Sequence, residues 1–201
     1  MQQTKAVKEG ELFFRQWLRS PKSMGSVIPS SKFLARAVAE ELAWKPGQWI
    51  VELGGGTGAI TLGMIERGIP RERLVVIELD PDLYRYLRER LPGSLVIKGD
   101  ATKLPEILKE HEVGEVGTVV SGLPMVGMPF EFQRAIIEQG FKAMPPGSFM
   151  LQYSYSPVAP IPVRRLGVRA QLVRRVALNF PPAFVWKYRH LATVPRDDHR
   201  R

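Results

Sequence analysis

The order of elements in this sequence predicts an α/β fold: a doubly wound, mostly parallel sheet of seven strands with helices on both faces. Three observations predict it. Five short, apolar, β-branched runs alternate with segments of helical period between residues 49 and 156, and such alternation places helices over both faces of a parallel sheet. A glycine-rich turn joins the first run to the next helix, where doubly wound parallel sheets approach their ligands. After Pro157 come two basic segments, 168–180 and 183–191, split by Pro181-Pro182, which finish the sheet as an antiparallel pair.

Residues 5–19, KAVKEGELFFRQWLR, read as an N-terminal amphipathic helix. On a helical projection Ala6, Val7, Gly10, Phe13, Phe14, Trp17 and Leu18 share an arc of roughly 140°. Lys5, Lys8, Arg15 and Arg19 lie opposite, with Leu12 out of place, and Ser20-Pro21 ends the helix. The loop 24–31, MGSVIPSS, follows, and Ser30 or Ser31 caps a helix running to about Trp44. The first strand, 49–54, and a helix over 59–68 flank the glycine turn. A second strand, 74–80, leads into helix 81–91, which opens on a proline. Strand 95–100, a helix around 105–111, strand 117–124, helix 129–144 and strand 149–156 complete the alternation. The chain divides into the helix at 1–22, a domain at 23–195 and a disordered tail at 196–201.

Composition bounds the function. The 201 residues are 44% hydrophobic, enough for one real core, and lack the run of about 18 apolar residues that a membrane span needs. With no cysteine there is no disulfide, thiolate metal site or cysteine nucleophile, as in a cytoplasmic protein. Three histidines, two of them in the last dozen residues, argue against a histidine-rich metal site, and no metal is expected. Lys and Arg number 29 against 20 acidic residues, a formal +9 that favours a polyanionic partner, either nucleic acid or an anionic membrane.

The strongest motif is Val51-Glu52-Leu53-Gly54-Gly55-Gly56-Thr57-Gly58, directly after a strand and directly before a helix. Glycines allow a tight turn and close backbone approach, and the helix N-terminus offers free amides. Gly54, Gly56 and Ala59 also satisfy the looser dinucleotide fingerprint, so three carboxylates must discriminate. Glu52 stands where it can face an ammonium and would repel a pyrophosphate. Glu78, at the end of the second strand, can accept from two ribose hydroxyls. Asp100, in Gly99-Asp100-Ala101, can accept from an adenine amino group. All three lie at carboxyl ends of parallel strands, where such sheets bind ligands.

Over roughly residues 25–155 this arrangement resembles the class I methyltransferases and their mostly parallel seven-stranded sheet. The resemblance implies S-adenosylmethionine as cofactor, leaving as S-adenosylhomocysteine. It puts the methionine moiety near Pro29, Ser30, Ser31, Glu52, Gly54, Gly56 and Gly58. The ribose falls on Glu78 and Leu79 and the adenine beside Asp100 and Ala101, and Ser121 is a further cofactor-binding residue. In relatives that methylate nucleobase amines the fourth strand ends in an Asn/Asp-Pro-Pro-Tyr-like motif, or Asn-Leu-Pro-Tyr in rRNA adenine dimethylases. Here it reads Ser121-Gly122-Leu123-Pro124-Met125, which keeps Leu-Pro and lacks both Asn and Tyr. An aliphatic amine, once deprotonated, does not need that arrangement.

FFRQWLRSPKSMGSVIPSSKFLAR, VVIELDPDL, KGDATKLP and SGLPM resemble the bacterial phospholipid N-methyltransferases. That resemblance implies stepwise methylation of phosphatidylethanolamine, through mono- and dimethyl intermediates, to phosphatidylcholine. It gives the N-terminal helix a reason. Lys8, Phe13, Phe14, Arg15, Trp17, Leu18 and Arg19 are expected to bind an anionic phospholipid membrane, placing a cytoplasmic protein peripherally on its inner face. Tyr153 and Tyr155 alternate onto one face and are expected to line the acceptor-amine pocket, where aromatic faces suit a methylated ammonium. Arg164, Arg165, Arg169, Arg174 and Arg175 are candidates for lipid phosphate. No residue stands out as a general base. The alternatives are an rRNA adenine N6-dimethyltransferase, or a non-catalytic basic module binding membrane or RNA. The missing Asn and Tyr, and a short segment after Pro157, argue against nucleic acid.

Overall fold

The computed structural model describes residues 30–191. The expected helix at 1–22 with its membrane-binding residues, Pro29, and the tail at 196–201 lie outside the described residues.

Helix α1 (Lys32–Glu40) leads into strand β1 (Trp49–Leu53), then α2 (Ala59–Glu66), β2 (Leu74–Glu78) and α3 (Pro81–Arg90). Next come β3 (Leu95–Lys98), α4 (Leu104–Glu110), β4 (Val116–Ser121), α5 (Phe130–Lys142) and β5 (Phe149–Ser154). Strands β6 (Val168–Val176) and β7 (Ala183–His190) close the chain. The seven strands form one sheet in the order β3-β2-β1-β4-β5-β7-β6. Strands β1 to β5 pair parallel, while β7 runs antiparallel between β5 and β6, so the expected α/β class and closing antiparallel pair are what is found.

Strand alternation divides the core into two layers. Val51, Leu53, Val75, Ile77, Val119 and Met150 pack with Leu104 and Leu108 of α4 and Phe132 and Ile136 of α5. Ile50, Leu74, Val120 and Leu151 pack instead with Leu34 and Val38 of α1 and Ile60 and Met64 of α2, and Val76 with Leu87 of α3. Each fully buried aliphatic side chain contributes roughly 1.5–3 kcal/mol. By the same period of two, Glu52, Glu78, Tyr153 and Tyr155 belong to the α1–α2–α3 side.

Helix α1 stops short of the expected Trp44. It is capped by Glu41, and Ala43 exchanges both backbone hydrogen bonds with the Thr118 hydroxyl of β4 (3.3 and 2.7 Å). A side chain 75 residues away thus takes the bonds another helical turn would have used. Among the described residues, no helix is long and apolar enough to cross a membrane.

Candidate active site

The sheet order reverses between β1 and β4, which leaves a crevice at their carboxyl ends. Backbone hydrogen bonds carry the ladder one residue past the strands. Gly54 donates to Ile77 O (2.9 Å), Gly99 to Glu78 O (3.0 Å) and Gly122 to Leu53 O (2.8 Å). The turns after these three strands therefore start from one fixed edge. Between them lies an open cleft lined by Gly54, Ile77, Glu78, Leu79, Gly99, Asp100, Ala101, Leu123 and Phe132.

Each expected residue can now be placed. Gly54, Gly56 and Gly58 all have left-handed φ angles (75°, 53° and 77°). At Gly56 that conformation faces open space, since an added Cβ would meet nothing within 4 Å. Its backbone is therefore the bare wall that a ligand can approach. Gly58 points elsewhere: a Cβ there would rest 3.1 Å from Leu87 of α3, so its contribution is the entry into α2.

Glu52 is fully buried. One carboxylate oxygen accepts a short hydrogen bond from the Thr61 hydroxyl of α2, and Oε1 has no partner among the described residues. Burial, outweighing the Thr61 bond and reinforced by the nearby charge of Glu78, pushes the Glu52 carboxyl up to about 8. Glu78 is also buried, with Oε2 accepting from the Gly56 N–H (3.1 Å) and Oε1 from the Asp80 N–H (3.0 Å). Its carboxyl is raised as well, by burial first, against the backbone bonds that lower it.

A pH-dependent stability follows. Between the ordinary carboxylate range and pH 8 the folded chain keeps a proton on Glu52 that the unfolded chain has released, so stability falls as pH rises across that window. The limiting slope for one group is about 1.4 kcal/mol per pH unit. Melting temperatures from pH 5 to 9 should fall more steeply in the wild type than in Glu52→Gln, and parallel curves would refute this account of Glu52.

Asp100 uses Oδ1 to accept from the N–H and the hydroxyl of Thr102 (both 2.8 Å), capping the 3-10 turn Ala101–Lys103. Asp100, Ala101 and Leu79 all border the cleft. Ser121 is buried and its hydroxyl accepts from the Leu123 N–H (3.4 Å), so the end of β4 folds back on itself. Met125 is buried too, its carbonyl accepting from the Gln133 side chain (2.7 Å).

Tyr153 and Tyr155 do share a face. Ser30 lies beside both hydroxyls, and Asn179 beside that of Tyr155. Burial raises the Tyr153 hydroxyl far above its ordinary value, with Glu52 and Glu78 adding to the shift. Tyr153 therefore remains protonated and can orient a ligand but not act as a base. Its hydroxyl lies directly against the Gly122 backbone, between the turns that follow β1 and β4. Ser31 caps α1 through Leu34 (3.2 Å) and donates its N–H to Asn179 Oδ1 (3.1 Å).

The expected arginine set splits. Arg174 is tied to Glu41 (2.7 Å) and Glu40 (3.8 Å) of the α1 end, and Arg169 pairs with Arg189 toward the opposite edge of the sheet. Arg164, Arg165 and Arg175 are exposed.

Several site residues carried no signal in the sequence. Asn179, in the β6–β7 turn, is buried and holds both Ser31 and the Pro181 carbonyl (2.7 Å). Gln152 is buried and donates to Leu123 O (3.0 Å), fixing the turn after β4. Phe132 lines the cleft from α5. Among the described residues no cluster of His, Asp or Glu could hold a metal ion.

Residues 18–124 match the family model described as ribosomal RNA adenine dimethylase. The chain is 33% identical over 154 residues to an ornithine lipid N-methyltransferase of Singulisphaera acidiphila, covering 75% of this chain and 80% of that protein. It is 27% identical over 136 residues to a ribosomal RNA small subunit methyltransferase A of Thermotoga neapolitana, covering 68% of this chain and half of that protein. Among solved structures it is similar in fold to TrmN from Thermus thermophilus, with a TM-score of 0.62 at 19% identity over 86% of this chain and 52% of that one.

Proposed function

The chain belongs to the ribosomal RNA adenine dimethylase family and is an S-adenosylmethionine-dependent methyltransferase; from that premise we propose that its acceptor is a lipid amine at a membrane surface. The amine is that of phosphatidylethanolamine, methylated stepwise to phosphatidylcholine. The similarity to an ornithine lipid N-methyltransferase over four-fifths of that protein favours a second reading, in which the alkyl amine is carried on an ornithine headgroup. Both are lipid-anchored aliphatic amines.

One observation carries the choice of an alkyl amine. At the tip of β4, Ser121 is engaged with the Leu123 N–H and Met125 is buried. The stretch thus presents neither an amide acceptor nor an aromatic platform for a flat nucleobase. Tyr153 stands close to this tip instead, its hydroxyl against Gly122, with Tyr155 on the same face of β5.

The residues present fit the cofactor. Oε1 of Glu52, buried without a partner among the described residues, is where an ammonium would be received, its charge drawing off the proton that burial keeps on the carboxyl. Gly56 leaves its backbone open, and Glu78, already steered by two N–H groups, faces the cleft with Asp100 and Ala101. When bound, S-adenosylmethionine supplies a methyl group on a sulfonium. An acceptor nitrogen held at the cleft would first release its ammonium proton to solvent, leaving its lone pair free for that methyl group. The protein's share is alignment and exclusion of water. Tyr153 orients the nitrogen, and the tyrosine faces hold the cation as methyl groups accumulate. The chain works as a peripheral protein of the inner membrane face, with residues 8–19 adding contact.

The deciding assay offers labelled S-adenosylmethionine separately with phosphatidylethanolamine vesicles, ornithine lipid vesicles and unmodified rRNA. Label in lipid is the expected result, and the lipid labelled selects between headgroups. Label confined to RNA would overturn the proposal.

A further inference from the structure

Five large apolar side chains stand out into solvent along the edge of the sheet onto which the cleft opens. Phe180 is 87% exposed, Leu178 70%, Val158 68%, Val126 59% and Phe33 42%. The topology brings them to one edge. Val126 follows β4 and Val158 follows β5, both at carboxyl ends. Leu178 and Phe180 sit in the β6–β7 turn, which lies at that same edge because β7 runs antiparallel to β5. Phe33 opens α1, and the Ser31–Asn179 bond holds that helix start to the same turn. Isolated exposed apolar residues are ordinary, whereas a group of them on the loops of one sheet edge marks a contact surface.

Cations border this rim. Lys32 places Nζ 5.5 Å from the Phe33 ring, and the Arg165 guanidinium lies 3.7 Å from the ring of Phe130, at the start of α5. Arg175, one residue before the end of β6, is exposed. None of the three joins an ion pair with another described residue. Apolar tips beside cations that no described carboxylate holds match a bilayer interface, with acyl chains below and anionic headgroups at the level of the charges. A polynucleotide would gain nothing from Leu178 and Val158.

We infer that this rim is the membrane-docking surface: Leu178, Phe180, Val158, Val126 and Phe33 enter an anionic bilayer so that the cleft opens onto the headgroup layer. The inference rests on the lipid-amine reading, because an acceptor that stays in its bilayer requires the mouth to face it.

The cysteine-free chain allows a direct test. Phe180→Cys and Leu191→Cys are each labelled with an environment-sensitive dye in the full chain, the latter as a control at the opposite edge of the sheet. Both are mixed with phosphatidylethanolamine–phosphatidylglycerol vesicles. A blue shift and quenching by brominated acyl chains are expected at 180 and not at 191. Leu178→Ser/Phe180→Ser should lower vesicle partitioning by about tenfold or more, with the thermal shift given by S-adenosylhomocysteine unchanged. Silence at 180 while the protein sediments with vesicles would overturn the inference. So would a label already shielded without vesicles, which would mean that residues 1–29 cover the rim. Equal partitioning of the double variant would overturn it as well. Transfer to phosphatidylethanolamine or ornithine lipid in detergent micelles, where docking is not required, tests the substrate reading separately. Transfer retained by the double variant in micelles and lost on vesicles supports the rim. Docking at 180 by a wild type that labels no lipid supports the rim and ends the substrate reading.

Discussion

Glu78→Ala is expected to abolish measurable cofactor binding while leaving the sheet folded. The carboxylate is 2% exposed, and two backbone N–H groups, from Gly56 and Asp80, hold it at the border of the cleft. In the proposed site each oxygen accepts from one ribose hydroxyl. A hydrogen bond to a charged group is worth about 1.5–3 kcal/mol, so losing two lowers affinity by roughly 10²–10⁴-fold. The alanine also leaves the Gly56 N–H without its acceptor, loosening the turn that the cofactor must approach. Glu78→Gln keeps the shape and one carbonyl acceptor, so its affinity should fall between the two. Calorimetry with S-adenosylhomocysteine reads the series, and far-UV circular dichroism verifies the fold. Wild-type affinity in Glu78→Ala would remove this residue from the site.

The carboxylates at strand ends were legible because their meaning is local. A carboxylate closing an apolar run beside a glycine turn can be read without knowing what lies across the sheet. Asp100 shows the limit of that reading, since one of its oxygens caps the 3-10 turn beneath it, a use any strand-end Asp can have. What stayed illegible depends on distant pairs. Asn179 reaches Ser31 across 148 residues of sequence, and nothing near Leu178-Asn179-Phe180 announces that the middle side chain turns inward while its neighbours stand in solvent. Gln152 reads as one more polar residue in a strand until β4 and β5 pair and bring it to Leu123. Likewise, α1 ends before the expected Trp44 because Thr118 competes for Ala43. Arg174 looked available to a ligand until α1 supplied Glu40 and Glu41. Local chemistry is written in the sequence; the choice between a ligand and an internal partner is made by the packing.

Gly122→Ala should nearly eliminate methyl transfer, and the cause is geometric. A Cβ at this position would overlap the Tyr153 hydroxyl, lie 2.7 Å from Tyr153 Cζ and come within 3.0 Å of Gly54 O. The Gly54 turn is poorly placed to retreat, because its N–H is bonded to Ile77 O (2.9 Å) and its carbonyl is backbone. Tyr153 must then swing away from Ser30, taking the acceptor pocket out of alignment. Misplacing a positioning group by about 1 Å costs on the order of 10²-fold in rate, and overpacking costs about 1–3 kcal/mol of stability. Cofactor affinity tells which neighbour gives way. If Tyr153 moves, affinity for S-adenosylhomocysteine stays near the wild-type value while kcat collapses; if the glycine turn moves, both fall. Adding Tyr153→Phe deletes the most crowded atom, so the double variant should melt higher than Gly122→Ala alone without regaining the rate. Wild-type turnover in Gly122→Ala would mean that Tyr153 does not stand at the methyl-transfer end of the cleft.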